Sequence, residues 1–211
     1  MIKKLHSYIQ SGGIIEVISY ALTLIKKIFY YKSETIFLYL TPENAKHIKK
    51  DVEFSFKKIN NTADLEKIGF PRIKTLPYNK WFDKGSIAII GFYDNKPVSF
   101  TWSHFKHHTI HGIGTIDLSK NMCWIGPTFV HKTMRRKGMN KAQIIHQIKI
   151  SSKETSYFIT SANSKNIASI KSFAKLGFQR GLIHSKYFGV LSSNKIQMTF
   201  LNNGKNIIYI K

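Results

Sequence analysis

The most constraining feature of this chain is a change of period on either side of a basic loop. Residues Cys123 to Val130 are rich in β-formers, whereas Asn140 to Ser151 carries Ala142, Ile144, Ile145, Ile148 and Ile150 at positions that suit a helix buried on one side. Between them stands Arg135-Arg136-Lys137-Gly138. A strand that ends in a basic, glycine-containing loop and restarts as a helix turns the unpaired amides of the first helical turn toward the loop, where they can hold an anion. Such a junction belongs to folds that alternate strands and helices. Helix-period and strand-period segments interleave along the whole chain, which points to a mixed α/β architecture rather than a bundle or an all-β sandwich. With 211 residues and 43% hydrophobic content, the length suffices for one main domain with one substantial core.

The formal net charge is +22, from 33 basic and 11 acidic residues, and it is unevenly spread: beyond Asp117 the only acid is Glu154. A surface of this sign lowers the cost of bringing in a nucleotide, a phosphorylated lipid, an acidic membrane or a nucleic acid. Cys123 is the only cysteine, so neither an intrachain disulfide nor a cysteine zinc site can form, and a reducing cytoplasm fits. The apolar run from Gly13 to Tyr31 is interrupted by Glu16, Lys26 and Lys27 and reads as a retained helix. Ile14, Ile15, Ile18, Ala21, Leu22, Ile25 and Phe29 recur at helical spacing, with lysines near both ends. Residues 1–34 thus form a basic amphipathic segment that either packs on the domain or lies on an anionic membrane surface. Residues 35–211 are read as the main domain.

Within it, Thr35 to Leu40 reads as a strand, and Thr41-Pro42-Glu43 as the start of a short helix to about Lys50. Asp51 to Ile59 is extended, and Asn61-Thr62 caps another short helix that Gly69 and Pro71 stop. Ser86 to Tyr93 and Pro97 to His104 flank Asp94-Asn95-Lys96, a hairpin signal. Gly126-Pro127 inside the Cys123 to Val130 strand suggests a bulge, because proline cannot donate to the ladder. Strand Tyr157 to Ser161, helix Asn166 to Leu176 with Gly177 as its cap, and strands Leu182 to Leu191 and Ile196 to Phe200 follow. Asn202-Asn203-Gly204 makes a turn before Asn206 to Ile210.

No full P-loop and no Gly-x-Gly-x-x-Gly occurs. The string Val130-His131-Lys132-Thr133-Met134-Arg135-Arg136-Lys137-Gly138-Met139-Asn140 instead resembles the acyl-coenzyme A motif of the GNAT superfamily, Arg/Gln-x-x-Gly-x-Gly/Ala after a strand valine. Arg135 and Gly138 match, while Asn140 replaces the usual small residue. Downstream, Asn166-Ile167-Ala168-Ser169 and Phe173-Ala174-Lys175-Leu176-Gly177-Phe178 resemble the second family motif. The likeness covers roughly residues 85 to 190. It implies a GNAT-like α/β (α+β) fold: a central mixed, mostly antiparallel sheet with splayed central strands and helices on both faces, plus the N-terminal helix. It also implies an acetyl-CoA or other acyl-CoA co-substrate and no metal. The amides of Arg136, Lys137, Gly138, Asn140 and Lys141 would take the pyrophosphate, with Arg135 supporting the loop. Phe129 and Val130 would pair through their backbones with the pantetheine arm. Asn166, Ser169 and Phe173 would meet the coenzyme from the other side.

Transfer to an amine needs a neutral nucleophile, a polarised thioester carbonyl and a proton for the leaving thiolate. The family tyrosine that supplies the proton aligns with Phe173, which has none to give. Tyr157, Tyr187 or water could serve instead, or the chain could bind coenzyme without turnover. Candidate bases are Asp117, which also reads as a turn residue, and His131 just after the strand. His104 or His107 could act as base or hold an anionic substrate. The group His104, His107, His108 and His111 also has a metal-binding spacing, which the family likeness does not call for. Cys123 reads as a small core residue, so direct transfer in a ternary complex is expected.

The resemblance extends to members that modify amino sugars on nucleotide or lipid carriers in surface-polysaccharide assembly. It implies a small-molecule amine acceptor and a cytoplasmic protein, peripheral to the inner membrane face if residues 1–34 bind there. Two other readings remain: a degenerate domain that binds coenzyme as a sensor or scaffold, and a nucleic-acid-binding module in which Trp81, Trp102 and Trp124 stack on bases. No nucleic-acid-binding motif accompanies those tryptophans.

Overall fold

The computed structural model describes residues 31–41, 43–44, 54–110, 112–118, 121–152, 155–188, 195–208 and 210, together with positions 18, 22 and 25. The basic amphipathic helix read near the N-terminus therefore lies largely outside the described residues. Within it, Ile18, Leu22 and Ile25 are helical and each about half exposed. Among the described residues no helix is long and apolar enough to cross a membrane.

The first described strand, β1 (Tyr31–Leu40), starts earlier than Thr35 and buries all of its last five residues. It also takes in Tyr31, read from sequence as the end of a helix. Thr41 Oγ1 accepts from the Asn44 amide at 3.4 Å, as a helix cap should, but the remainder of that helix lies outside the described residues. Strand β2 (Ser55–Ile59) leads to α1 (Thr62–Ile68), where the Asn61 side chain accepts from the Asp64 amide and Gly69 closes the helix at φ 66°. A 3-10 turn (Pro71–Thr75) and a six-residue helix α2 (Tyr78–Asp83) follow. Neither has a side-chain cap, which is why the sequence pattern did not show them.

Strands β3 (Ile87–Tyr93) and β4 (Lys96–His104) form the expected hairpin. Asp94 and Asn95 both adopt left-handed backbone, at φ 50° and 57°, the geometry of a two-residue turn that matches strand twist. A second hairpin, β5 (His107–Ile110) and β6 (Gly114–Asp117), stands where only a loop was read. Then come β7 (Met122–Val130), a 3-10 turn (Lys132–Met134), helix α3 (Met139–Ser151), β8 (Tyr157–Asn163), α4 (Ile167–Ala174), β9 (Gln179–Phe188), β10 (Ile196–Phe200) and α5 (Gly204–Ile207). The segment Asn206 to Ile210 is not a further strand. Its first residues close α5, and Ile210 makes a single bridge to Ile116.

Among the described residues, eight strands form one sheet in the order β10-β9-β1-β8-β7-β4-β3-β2. Every neighbouring pair is antiparallel except β7 and β8, which run parallel. That pair touches only at Met122 with Tyr157, Cys123 with Phe158 and Trp124 with Ile159, and then splays. Thr160 donates its hydroxyl to the Ile125 carbonyl at 2.8 Å just where the ladder stops. The expected bulge at Gly126-Pro127 is present as a register shift between Thr101 and Ser103 on the partner strand.

One face of the sheet packs Ile36, Leu38, Leu40, Cys123 and Ile125 against Ile144, Ile145 and Ile148 of α3 and Ile170 and Phe173 of α4. The other face is covered in two patches. Phe37, Met122, Trp124 and Leu182 meet the β5–β6 hairpin and α5, while Ala88, Ile90, Phe100 and Trp102 meet α1 and the turns that follow it. Helices thus lie on both faces.

Candidate active site

The splay leaves the β8-facing edge of β7 without a partner strand beyond Trp124 among the described residues, and two cavities open beside it. The larger, about 870 Å³, is enclosed by Thr128 to Val130 of β7, the loop from Arg135 into the start of α3, and the first turns of α4. The smaller, about 530 Å³, lies between Trp81, His108 and Trp124 on one side and Thr160 to Asn163 of β8 on the other. Thr128, Asn166, Ser169 and Phe173 line both, so the two cavities meet at the splay.

The larger cavity is built for an anion. Gly138 takes left-handed backbone at φ 82° as N-cap of α3, and the first helical bond runs from Ala142 N to Gly138 O at 3.0 Å. The amides of Met139, Asn140 and Lys141 precede it and have no intrahelical acceptor. Arg136 is also left-handed, at φ 65°, directly after the extended Arg135. Arg135 donates through Nε to the Val130 carbonyl at 3.4 Å, which holds the loop against the strand end. Arg135, Arg136, Lys141, Lys171 and Lys175 line the cavity, and no carboxylate lines either cavity among the described residues. Lys137 instead stands over the Tyr93 ring at 5.8 Å.

Other residues singled out from the sequence separate clearly. Asn166 caps α4, its side chain accepting from the Ser169 amide at 3.2 Å, and both face the cavities. Phe173 is 4% exposed and packs edge-on against Phe178 at the junction, where it offers no proton. The Phe129 ring stacks on Phe100 at 5.5 Å. His131 caps the 3-10 turn, with Nδ1 2.8 Å from the Thr133 hydroxyl. His131, Asp117, Tyr157 and Tyr187 are not among the residues lining the cavities. Tyr157 opposes Met122 at the closed end of the β7–β8 pair, and Asp117 opposes His107 in the hairpin.

His104 borders the bulge but is committed on both nitrogens. Nε2 is 3.0 Å from the Gly126 carbonyl, which can only accept, so Nε2 carries the proton and the bare Nδ1 accepts from Ser86 Oγ at 2.8 Å. Burial, reinforced by neighbouring His108, lowers its pKa to about 3. It has no lone pair to offer a substrate. His108 stacks between His104 at 4.4 Å and Trp124 at 4.9 Å, and burial lowers its pKa to about 4, so this wall is aromatic and uncharged. Burial pushes the Cys123 thiol up to about 12, which removes it as an acyl carrier. His111 lies outside the described residues, among which no three potential ligands gather to hold a metal. Trp102 and Trp124 are buried in the core, so they are not open stacking platforms.

Thr128, Thr160 and a buried polar row beneath them escaped the sequence reading. The signal was the alternation Ser99-x-Thr101-x-Ser103 in a central strand, facing Gln143 and Gln147 one turn apart on α3.

A mostly antiparallel sheet with helices on both faces, whose single parallel pair splays beside a helix start, is the GNAT acetyltransferase fold. Solved structures bear this out. A GCN5-related N-acetyltransferase from Kribbella flavida superposes with TM-score 0.52 at 8% identity, over 94% of this chain and 67% of its own. A GNAT-family acetyltransferase from Colwellia psychrerythraea gives 0.51 at 14% identity, over 89% and 63%. A conserved protein of unknown function from Staphylococcus epidermidis gives 0.53 at 13% identity, over 79% and 64%. This chain thus spans about two thirds of the length of these structures. The sequence matches no protein-family profile and no curated protein.

Proposed function

We propose that the protein is an acyl-CoA-dependent N-acyltransferase that moves an acetyl group to a small amine by direct transfer in a ternary complex. The observation that carries this is the meeting of the two cavities at the open edge of β7, one cationic with free helix amides and the other aromatic and uncharged. The residues present fit acetyl-CoA. Amides of Arg136, Lys137, Gly138, Asn140 and Lys141 would hold its pyrophosphate, with Arg135 bracing the loop, and Phe129 and Val130 would take the pantetheine arm as an added strand. Asn166, Ser169 and Phe173 would close the opposite wall. The coenzyme would supply the activated acyl group, and a backbone amide of β7 near Val130 would polarise its carbonyl.

With no carboxylate lining either cavity among the described residues, an amine would enter neutral and lose its proton to water. Phe173, which lines both cavities, has no proton to give a leaving thiolate, so solvent would supply it. We infer that the acceptor is an amino sugar on a nucleotide or lipid carrier, because an anionic carrier suits the charge of +22 and the half-buried Trp81 ring beside the smaller cavity suits a sugar face. Contact of residues 1–34 with an anionic membrane would bring the chain to lipid-linked substrate at the cytoplasmic face. Titration calorimetry with acetyl-CoA, followed by thiol release with UDP-glucosamine, tests the reading. Tight binding with turnover supports it, and absence of binding overturns it. Phe173 favours one second reading, a coenzyme-binding sensor, which tight binding without transfer to any amine in a broad panel would establish.

A further inference from the structure

We propose that Thr128 is the residue that receives the acceptor amine, and that a buried hydrogen-bond chain permits it no other role than acceptor. This rests on the acyltransferase reading above and adds a group that touches the nucleophile.

The chain starts at a backbone carbonyl. Gln147 of α3, fully buried, donates Nε2 to the Trp102 carbonyl at 2.6 Å and to Ser103 Oγ at 2.6 Å. A carbonyl can only accept, so the amide cannot be flipped and Oε1 must face Thr101, 3.0 Å away. Thr101 therefore spends its one proton on Gln147. Thr128 Oγ1 lies 3.0 Å from Thr101 Oγ1, and with Thr101 already committed, Thr128 must be the donor of that pair. A hydroxyl has one proton, so Thr128 turns only lone pairs toward the junction of the two cavities that it lines.

Whatever meets Thr128 there must bring an N–H or an O–H. The thioester carbonyl and sulfur have no hydrogen to give. The pantetheine amides would be taken by the β7 backbone along its open edge. Besides water, the coenzyme's own hydroxyl and the side chains of Asn166 and Ser169, the donor that can reach it is the nucleophile arriving from the aromatic cavity. An amine that donates one N–H to Thr128 Oγ1 is held by that hydrogen with its lone pair free to face the thioester carbon. Thr101 and Gln147 act through Thr128 and are positioning residues.

The test compares Thr128→Val, which keeps the shape without the hydroxyl, with Thr128→Ser, which keeps the hydroxyl. Thiol release from acetyl-CoA is followed with glucosamine as the amine probe, and acetyl-CoA affinity is measured separately by calorimetry. The expected result is a KM for glucosamine raised about tenfold in the valine variant, the loss of one net hydrogen bond, near-normal in the serine variant, with acetyl-CoA affinity unchanged in both. Thr101→Val, verified as folded by circular dichroism, should give an intermediate KM because the Thr128 hydroxyl can then rotate. An unchanged KM in Thr128→Val overturns the proposal, as does failure of serine to restore it. A fall in acetyl-CoA affinity matching the rise in KM also overturns it, by placing the hydroxyl on the coenzyme. Failure of the unmodified protein to bind acetyl-CoA overturns the acyltransferase reading itself and is distinguishable from all of these.

Discussion

His104 Nε2 reaches the Gly126 carbonyl at 3.0 Å, joining the end of β4 to the bulge in β7. Its folded pKa of about 3 lies far below the ordinary 6.5, with burial as the main cause, and that of His108 is lowered to about 4. The unfolded chain therefore binds protons that the folded one refuses. Stability is fully present above pH 6.5 and is lost as pH falls through 6.5 toward about 4 for His108 and about 3 for His104. For buried His104 alone the loss is about 2 kcal/mol by pH 5. Urea unfolding midpoints between pH 7 and 5 should show the decline, and His104→Gln should flatten it.

Gly138 is left-handed with open space around it, so its need is backbone conformation and not clearance. Gly138→Val should cost about 1–2 kcal/mol in thermal unfolding and displace the amides of the first α3 turn. Acetyl-CoA affinity measured by calorimetry is expected to fall at least about tenfold. Unchanged affinity would move the pyrophosphate elsewhere.

Phe173→Tyr places a hydroxyl at the junction of the cavities, where the thiolate would form. A gain in kcat on the order of tenfold or more, with the KM for acetyl-CoA unchanged, is the expected outcome in a thiol-release assay. An unaltered kcat would mean that protonation of the leaving group does not limit turnover.

Thr160 donates to Ile125 at the last contact before β7 and β8 part. Thr160→Val keeps the shape but orphans a buried carbonyl, which should destabilise the fold by about 1–3 kcal/mol in urea titration. The added opening at the splay should also raise the KM for the amine.

Much of this architecture was legible because it depends on local chemistry. Asp94-Asn95 tolerate the left-handed turn, Asn61 and Asn166 cap their helices, and Gly138 and Gly177 end elements where side chains are disfavoured. Segments without such markers were harder to read. The six residues of α2 have no cap, and β5 and β6 are four residues each, too short for a period to show. Of the site, the cationic cradle is contiguous in sequence and could be read directly. The committed nitrogens of His104 and the Thr128 chain depend on partners from distant strands and α3, which no spacing rule connects.

The place of β1 in the sheet sets the order in which the chain can mature. Thr35 pairs with Asn163 and Tyr31 with Phe188, so the earliest described strand is held between two of the last to be synthesised. On the ribosome, the buried run Ile36 to Leu40 emerges long before either partner exists. Closure of this half of the sheet must wait until β8 and β9 have been made, a slow step of high contact order. Until then an apolar, β-forming segment waits unpaired and exposed to aggregation.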